Sequence, residues 1–419
     1  MAITVISTPN RLNLAYRPMV YKFSSSASNL QYCIIEVLND GTRIAAKSVQ
    51  LDLGSSTNFT VDISDIIQDN IGFELNTLGS SGVIIPTNSS GRMEDITLKI
   101  YEVVLTAGLI VTSYNPDNAS NVNYTYWLGG EVSNKDESVN AYNWTFSHFD
   151  YNSFSMGVGN SSDYQLTAVD RKFLNNAPLI KDIELGQSEY LGLLNAYNAA
   201  LTFDFKLEVL TYDISGSLLN TDYIDVTQWN SNYFASDYPT NTYLSVGVGT
   251  ANLIAESISL TNVSYYTVQL KEATNIVSEL RRFNIVGSCS SDVRIHWSNN
   301  FGKQDSYTFK GNKIETLNHK AKTYLKAIGN TYSSEKRGST VMQNISSTSF
   351  EIFTDSIGRN DYEFLASMLT NKNAFIEDNG SYYPIIIEDG SKLIRNEKNV
   401  PLQFKLVYSF ANDTKGLRG

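Results

Sequence analysis

The residue types that build most enzyme active sites are scarce in this sequence or lack the necessary spacing. Only three histidines occur, His148, His296 and His319, and none stands in an HExxH, HxH or Cys/His pattern. A histidine-based zinc site or nucleophile–base pair therefore has almost no material. No GxSxG elbow, GxxxxGK[ST] phosphate loop or GxGxxG fingerprint lies between a strand and a helix. We therefore expect neither acyl nor phosphoryl transfer.

Carboxylates are numerous, but no local pattern selects a catalytic pair among the 43 acidic residues. Glycoside hydrolysis needs two acids at a separation that the fold sets, so a glycosidase stays open as an alternative. Asp62, Asp65 and Asp69 lack the central glycine and terminal glutamate of a calcium loop, and we interpret them as solvated acids near a helix end. The sequence predicts a protein that is not an enzyme, with no catalytic residue, no cofactor and no metal.

The two cysteines lie far apart in the sequence. Cys33 stands in an alternating strand pattern, and Cys289 follows Gly287 and Ser288. This spacing indicates neither a disulfide framework nor a paired zinc motif. We expect both to be buried thiols.

Aromatic residues are concentrated in the stretch 124–151. Such side chains anchor protein interfaces, stack on sugar rings or, most simply, fill a core or cover a sheet face. We take them as a candidate interface, together with the loop-like stretches 79–91 and 114–123, which are dense in Gly, Ser, Asn and Pro. The candidate interface residues are Tyr124, Tyr126, Trp127, Tyr142, Trp144, Phe149 and Tyr151.

Charge and segment composition restrict the partners of the chain. The formal net charge is −11, and no run of five Lys or Arg occurs, so we expect no specific nucleic-acid binding. DNA could still pass nearby, because an acidic surface repels phosphate, although solubility explains the same charge. The first residues do not resemble a signal peptide, and no apolar stretch is long enough to span a bilayer. We therefore expect neither export by a signal peptide nor membrane insertion.

The elements that must position these residues are predicted to be mostly strands. The 26 Tyr and 19 Phe favour half-buried sheets. A hairpin is predicted through Asn39–Gly41, and alternating strands at 95–105, 202–212, 263–271 and 281–286. Two further extended runs within 294–309 are joined through Asn299, Asn300 and Gly302.

Two helices and a C-terminal meander complete the predicted elements. A short helix is predicted at 65–71 with Ser64 as its cap, and a stronger one at 361–370 with Asn360 as cap and Glu363 as its capping-box partner. Strands at 374–377, 382–388 and 402–411 follow as an antiparallel meander. The predicted fold is mainly β: stacked antiparallel β-sandwich-like domains at 1–155 and 156–288, and a small α+β unit at 289–419.

An ordered series of segments resembles virion structural proteins of crAss-like and related Bacteroidetes-infecting tailed phages. The most specific piece is RIHWSNNFGKQDSYTF at 294–309, in which Lys303 replaces the second glycine of the family pattern. The other segments, in order, are NRLNLAYRPMVYKFSSS, NFTVDISDIIQDNI, RKFLNNAPLI followed by EYL, and DYEFLASMLTNKNAFI with YYPIIIED.

The resemblance implies a structural function in the virion without enzyme activity. It implies a portal-proximal ring, a collar or another tail component that forms a homo-oligomer around a symmetric axis and contacts other tail proteins. Such a protein would assemble in the host cytoplasm. The alternative from another class is a carbohydrate-binding host-surface adhesin or receptor-binding protein of the tail-fibre type, in which Tyr and Trp grip glycans.

Overall fold

The chain forms two compact units of antiparallel sheet. Unit 1 contains Met1–Val286 and Ser298–Gln304, and unit 2 contains Gly287–Trp297 and Asp305–Gly419. The predicted mainly β fold with sandwich-like sheets is confirmed; the division into three domains stays a prediction. The computed structural model describes residues 3–7, 12–14, 19–39, 41–70, 72–73, 75–84, 92–106, 109–114, 120–127, 173–195, 205–226, 242–272, 274–276, 278–289, 291–299, 302–325, 339–370, 373–389, 391–394, 402–411 and 415–417.

The N-terminal part of unit 1 contains two sheets. Sheet A has the strand order β1-β3-β6, and sheet B has the order β2-β10-β8-β4-β5 with β9 paired to β8. The elements are β1 (Ile3–Ser7), β2 (Leu12–Leu14), β3 (Val20–Ser25), β4 (Leu30–Asn39), β5 (Thr42–Gln50), β6 (Asn58–Asp62), α1 (Ser64–Asn70), β7 (Val83–Ile84), β8 (Arg92–Thr106), β9 (Leu109–Tyr114) and β10 (Ser120–Trp127).

Sheets A and B share one hydrophobic core, because each contributes the apolar residues of its alternating strands. Phe23 of β3 stacks on Phe59 of β6 with ring centroids 5.3 Å apart. The predicted hairpin between β4 and β5 is confirmed, with Gly41 at φ 73°, a left-handed conformation that glycine adopts without strain. The buried set also includes Tyr21, Ile35, Val37, Ile96, Leu98 and Ile100.

The second part of unit 1 contains sheets C and D. Sheet C has the order β12-β15-β7, and sheet D has the order β11-β18-β16-β13-β14 with β17 paired to β16. The elements are β11 (Ile180–Glu184), β12 (Tyr190–Asn195), β13 (Phe205–Tyr212), β14 (Leu218–Asp225), β15 (Thr242–Gly247), α2 (Thr250–Ala255), β16 (Tyr265–Glu272), β17 (Asn275–Ile276) and β18 (Arg281–Val286).

A second hydrophobic core lies against sheet D. Leu207 and Val209 of β13 are fully buried, as their alternation in the sequence predicts. Tyr266 of β16 stacks on Phe283 of β18 at 5.2 Å, and its hydroxyl donates to the carbonyl oxygen of Val248 at 2.8 Å. A buried tyrosine hydroxyl needs such an acceptor, so this hydrogen bond fixes the ring within the core.

The segment Ser298–Gln304 also belongs to unit 1 and is held by buried polar side chains. Asn299 Nδ2 donates to the Leu174 carbonyl oxygen at 2.9 Å, and Asn175 Nδ2 donates to the Gln304 carbonyl oxygen at 3.4 Å. Gln304 Oε1 accepts the Asn76 N–H at 2.8 Å. Since buried amides are costly without partners, these bonds specify one conformation of the segment.

Unit 2 is one sheet with a helix packed on it. Sheet E has the order β20-β19-β23-β24-β26-β22-β21, with β25 paired to β26 and β27 to β22. The predicted meander is confirmed by the order β23-β24-β26. The elements are β19 (Val293–Ser298), β20 (Gln304–Phe309), β21 (Lys313–Leu325), β22 (Ser339–Phe353), α3 (Arg359–Leu369), β23 (Ala374–Asp378), β24 (Ser381–Ile387), β25 (Lys392–Ile394), β26 (Gln403–Phe410) and β27 (Lys415–Leu417).

The two predicted helices are confirmed, but the N-cap of the second differs from the prediction. Helix α3 begins two residues before the predicted start, at Arg359, and its N-cap is Gly358 rather than Asn360. The carboxylate of Asp361 accepts the Gly358 N–H at 3.4 Å, so Asp361 takes the position that the sequence pattern assigned to Glu363. Among the described helices, none is long and apolar enough to cross a membrane.

Candidate functional site

Three of the seven predicted interface residues lie in strand β10. The backbone of Tyr126 pairs with Met93 of β8 on one side and with Asn13 of β2 on the other, and Trp127 is paired on both sides as well. Tyr124 pairs with Ile96. Tyr142, Trp144, Phe149 and Tyr151 lie outside the described residues, so their use as an interface stays a prediction.

Neither predicted contact loop is a plain loop in its described part. Gly79 donates its N–H to Ser188 Oγ at 2.7 Å, and Val83 pairs with Val246 of β15. The stretch 114–123 includes the start of β10 at Ser120. Val83 and Ser120 therefore belong to strands of unit 1, and the hydrogen bonds of those strands hold their backbone in place.

The two histidines that the structure describes lie in different surroundings. His296 is fully buried, and its Nε2 lies 2.7 Å from Glu377 Oε2, while His319 is exposed on β21 and His148 lies outside the described residues. Arg294 Nε also approaches Glu377 Oε2, at 3.5 Å. Within the described ranges, no group of three His, Cys, Asp or Glu side chains could hold a metal ion.

The two cysteines occupy opposite environments. Cys33 is buried, as predicted, and burial together with the nearby Glu102 charge raises the pKa of its thiol to about 12. The prediction that Cys289 is buried is wrong, because Cys289 is exposed. It lies in a turn in which Asp292 Oδ2 accepts the Cys289 N–H at 2.8 Å, and a turn before a strand leaves its side chain in solvent.

Three buried carboxylates of unit 1 are matched by cations. Lys181 Nζ lies 2.7 Å from Glu189 Oε2, and Lys271 Nζ lies 2.5 Å from Glu208 Oε1. The third carboxylate, Glu279, is paired with Arg281 at 2.6 Å. This is the arrangement of structural ion pairs, whereas a glycosidase needs two carboxyl groups that face each other across a cleft.

The most unusual surface among the described residues is the long hairpin of β21 and β22, which we call the ribbon. Thirteen Cα pairs join the strands, from Lys313 with Ile352 to Leu325 with Ser339. At about 3.4 Å per residue, the ribbon extends over roughly 40 Å. The sequence between the strands, 326–338, lies outside the described residues.

The base of the ribbon is anchored in unit 2. Ile352 and Phe350 of β22 are buried in the core, and the Lys313 ammonium group lies 5.2 Å from the centroid of the Phe350 ring. Gly311 donates its N–H to the Phe353 carbonyl oxygen at 3.0 Å, and a Cβ at Gly311 would lie only 2.4 Å from that oxygen. A glycine is therefore required where the chain enters the ribbon.

Beyond the base of the ribbon, β21 is uncovered on both faces, whereas β22 has half-buried residues and pairs with β27 at Asn344–Ser346. Every residue of β21 is exposed, although side chains alternate between the two faces of a strand. The exposed residues include Leu317 at 70% and Leu325 at 84% of full exposure, and Met342 of β22 at 70%. A strand of thirteen residues that are all exposed is an unusual feature, because strands are usually stabilised by burial of at least one face.

The ribbon also differs from the rest of the chain in charge. Strand β21 carries Lys313, Lys320 and Lys322 and a single acid, Glu315. The sequence 310–338 holds seven basic and two acidic residues, whereas the whole chain has 43 acids and 32 bases. Strand β21 and the sequence that follows it to residue 338 are therefore basic in an acidic protein.

The sequence patterns did not identify the ribbon. Period-two alternation marks a strand only when one face is buried, and KIETLNHKAKTYL has neither face buried. The local excess of lysine in an acidic chain is the signal that could have found it.

Comparisons with known proteins find no relative that identifies the chain. No family model and no curated protein matches it. Two structures of the plexin A4 extracellular region match 98% of this chain at 8% and 9% identity, covering 36% and 31% of those chains with TM-scores of 0.19 and 0.20. A structure of a 1.5-MDa bacterial ice-binding adhesin matches 85% of this chain and 92% of its own at 7% identity, with a TM-score of 0.18. The chain spans about a third of the matched plexin chains. Similarities this weak carry no argument about function.

Proposed function

We propose that the chain is a non-enzymatic structural subunit that assembles with further copies of itself into a ring or collar of a phage tail. It would also contact other tail or portal-proximal proteins in the virion. The observation that carries the self-assembly is the ribbon, a long hairpin whose strand β21 is basic and exposed along its whole length. The assignment to a phage tail rests on the resemblance of the segments 10–26, 58–71, 171–191, 294–309 and 361–389 to virion proteins.

The exposed edge of the ribbon supports an assembly function. Strand β21 is the last strand of sheet E, so its outer N–H and C=O groups have no neighbouring strand among the described residues. Such an edge is a template for pairing with another chain, and proteins that must stay monomeric shorten it or cover it. Lysines on an edge also discourage aggregation, but that purpose does not require thirteen residues of strand with exposed leucines.

The charge of the ribbon favours an acidic partner, and a second copy is one. Basic and acidic patches attract each other over about a Debye length and set the orientation of docking. With a net charge of −11 and a basic ribbon, each copy offers both a basic donor and an acidic acceptor surface. Contacts between two different surfaces are heterologous, and heterologous contacts close into rings when the rotation allows.

Removal of the distal ribbon tests this function. Glu315 and Phe350 are Cα partners, so a two-residue Asn-Gly turn in place of residues 316–349 closes the hairpin at that pair. We expect the unmodified chain to form one discrete oligomer in sedimentation and light-scattering measurements, and the shortened chain to stay monomeric.

A substitution control separates assembly from folding. Replacing Leu317, Leu325 and Met342 together by serine keeps the ribbon but removes its exposed apolar surface. We expect unchanged thermal unfolding and at least tenfold weaker self-association. An unmodified chain that is monomeric at every concentration, or a shortened chain that still forms the same oligomer, contradicts the proposed function.

One observation favours carbohydrate binding as a second candidate. Tyr212 and Tyr265 stack at 4.7 Å on the outward face of sheet D, and Tyr223 on the same face is 54% exposed. The Tyr265 ring is contacted by Tyr212 and by Arg282, which lies 3.7 Å from its centroid, so the exposed Tyr223 is the ring that could stack on a sugar. A glycan array distinguishes the candidates, because an adhesin would give hits that Tyr223→Ala abolishes, whereas a ring subunit would give none.

A further inference from the structure

The side chains of the ribbon differ between its two faces. Leu317, Ala321 and Leu325 of β21 lie on one face, because even numbers of residues separate them. Lys320 and Lys322 lie on the opposite face. We call the first the leucine face and the second the lysine face. The ribbon therefore presents apolar surface on one side and positive charge on the other, and the two sides suit different partners.

The lysine face also carries hydrogen-bonding side chains. Lys322 is the register partner of Gln343, and Asn318 is the partner of Ser347, so these side chains share one face. Asn318 Nδ2 donates to Ser349 Oγ at 3.1 Å on the same face. Ammonium, amide and hydroxyl groups are the side-chain groups that contact phosphate oxygens in nucleic-acid complexes. The chemistry of this face therefore matches a phosphate backbone.

No carboxylate opposes the positive charge of the distal ribbon. Neither 316–325 nor 339–350 contains an Asp or a Glu, although the chain has 43 acids among its 419 residues. Lys320 and Lys322 have no ion-pair partner among the residues that the structure describes. Their Cα atoms are about 7 Å apart along the strand, so their charges repel each other. An anion bound at both lysines would remove this repulsion.

We propose that the lysine face binds the phosphate backbone of nucleic acid without reading its sequence. Strand β21 is exposed along all thirteen residues and forms an edge of sheet E, so a partner as large as a DNA duplex can approach both lysines. Duplex DNA carries about one negative charge per 1.7 Å of its length, and lysines that neutralise its phosphates release condensed counterions. An acidic protein surface has a lower charge density and no condensed counterions, so nucleic acid is the partner that we assign.

This inference goes beyond the proposed function and does not depend on self-assembly. The centre of a protein–protein contact is depleted of charged residues, and the leucine face fits that requirement better than the lysine face. The two functions can therefore use opposite faces of the same strand. The net charge of −11 agrees with this division, because the acidic surface elsewhere repels phosphate and restricts DNA to the ribbon.

Removal of the two lysine charges tests the inference. The chain with serine in place of the three exposed apolar residues of the ribbon is the background, because it keeps both lysines and lacks the apolar surface proposed for self-association. We expect it to bind a fluorescent duplex of about 30 base pairs in anisotropy titrations, with an affinity that falls as the salt concentration rises. Adding Lys320→Gln and Lys322→Gln should weaken this binding at least about tenfold at low salt. The slope of log K against log salt should become shallower by about 1.8, since about 0.9 is lost per phosphate contact.

Matched controls make the test specific. Lys22→Gln removes an exposed lysine of β3 and should change neither the affinity nor the slope. Thermal unfolding of each variant should match that of the background chain. Labelled poly-glutamate of the same total charge represents an acidic protein surface, and it should bind at least about tenfold more weakly than the duplex.

The outcomes separate this inference from the proposed function. Absence of duplex binding, duplex binding that survives the loss of both lysines, or poly-glutamate binding as tight as that of the duplex each contradicts the inference. None of these results bears on ring assembly, which is tested by the oligomeric state of the unmodified and shortened chains. Conversely, an unmodified chain that is monomeric but binds DNA through the two lysines would disprove ring assembly and support the inference.

Discussion

Strands β13 and β16 at the centre of sheet D and strands β21 and β22 of the ribbon are both antiparallel pairs, but they are stabilised differently. The central pair has eight Cα partners, and β13 buries Leu207 and Val209 completely. The ribbon has thirteen partners, and none of the β21 side chains is buried. The pair with more backbone pairing has far less burial.

This difference shows that backbone pairing alone does not account for a stable strand. Hydrogen bonds to a neighbouring strand replace hydrogen bonds to water, so their net contribution is small, about 1 kcal/mol each. Burial of apolar side chains contributes about 25 cal/mol per Å², and the central pair has this contribution while the ribbon lacks it. A partner that covers the ribbon would supply the missing burial.

The largest expected loss of stability in the covered region comes from Arg281→Ala. The Arg281 side chain is buried and contacts Glu279 Oε1 at 2.6 Å and the Pro178 carbonyl oxygen at 3.1 Å. Its removal takes the cation from the largely buried Glu279 carboxylate, which still accepts the Phe173 N–H at 3.1 Å, and loss of one partner of such a pair costs about 3–5 kcal/mol. Urea unfolding of the monomeric chain measures this value.

Arg282→Ala is the matched control for that substitution. Arg282 lies over the Tyr265 ring at 3.7 Å on the outward face and donates to Asn284 Oδ1 at 2.9 Å. We expect a loss of about 1 kcal/mol, typical of an exposed cation–π contact with one hydrogen bond. Equal losses of stability for the two arginines would show that the burial of Arg281 does not increase its contribution to stability.

A leucine pair tests the comparison directly. Leu207→Ala removes a fully buried side chain and should destabilise the monomer by about 2–5 kcal/mol. Leu317→Ala on the ribbon should change it by less than about 0.5 kcal/mol, because the side chain is 70% exposed. Chemical denaturation at concentrations below self-association measures both.

Self-association should show the reverse order for the same two leucines. Leu317→Ala should weaken the oligomer, whereas the folded fraction of Leu207→Ala should assemble normally. A ribbon leucine that stabilises the isolated monomer as strongly as Leu207 would mean that the ribbon is covered within its own copy.

The elements with one buried face are the ones that sequence patterns predict well. Leu207 and Val209 show the alternation of β13 because one face of the strand must be apolar. The cap of α3 was less predictable: its N-cap is Gly358, whose N–H donates to Asp361, rather than the stronger capping residue Asn360.

The aromatic candidate interface at 124–151 stays a prediction, whereas the ribbon was missed by the sequence patterns for a physical reason. Large aromatic side chains dominate many protein interfaces, which is why the stretch 124–151 was a candidate. The backbone of Tyr126 is paired on both sides within sheet B, and this pairing accounts for its place in the fold. The ribbon has no alternation to detect, because β21 buries neither face within its own chain. A single sequence encodes such a face through charge, as in Lys320 and Lys322, more than through periodicity.

The base of the ribbon gives a smaller effect. Gly311→Ala places a Cβ within 2.4 Å of the Phe353 carbonyl oxygen, so the backbone must move apart there, at a cost of about 1–3 kcal/mol. Gly287→Ala is the matched control, because a Cβ at Gly287 has no atom within 4 Å. We expect faster amide hydrogen exchange in residues 313–325 for the first variant only. Unchanged exchange in both would show that Gly311 does not fix the ribbon.

The reactivity of the two cysteines compares a buried position with an exposed one, and this test does not depend on a change in stability. A thiol-specific reagent reacts with the thiolate, and Cys33 is buried with its pKa raised to about 12, so it stays protonated and inaccessible near pH 8. Cys289 is exposed and should react within minutes. Mass spectrometry of the native chain should therefore find one label, on Cys289, and Cys289→Ser should abolish labelling.

In urea both cysteines should react, because unfolding removes the burial that raises the pKa of Cys33. Labelling of Cys33 at the same rate as Cys289 in the native chain would show that the core between sheets A and B opens readily. The buried core and the exposed strand β21 would then not differ in solvent access, and the comparison between them would be wrong.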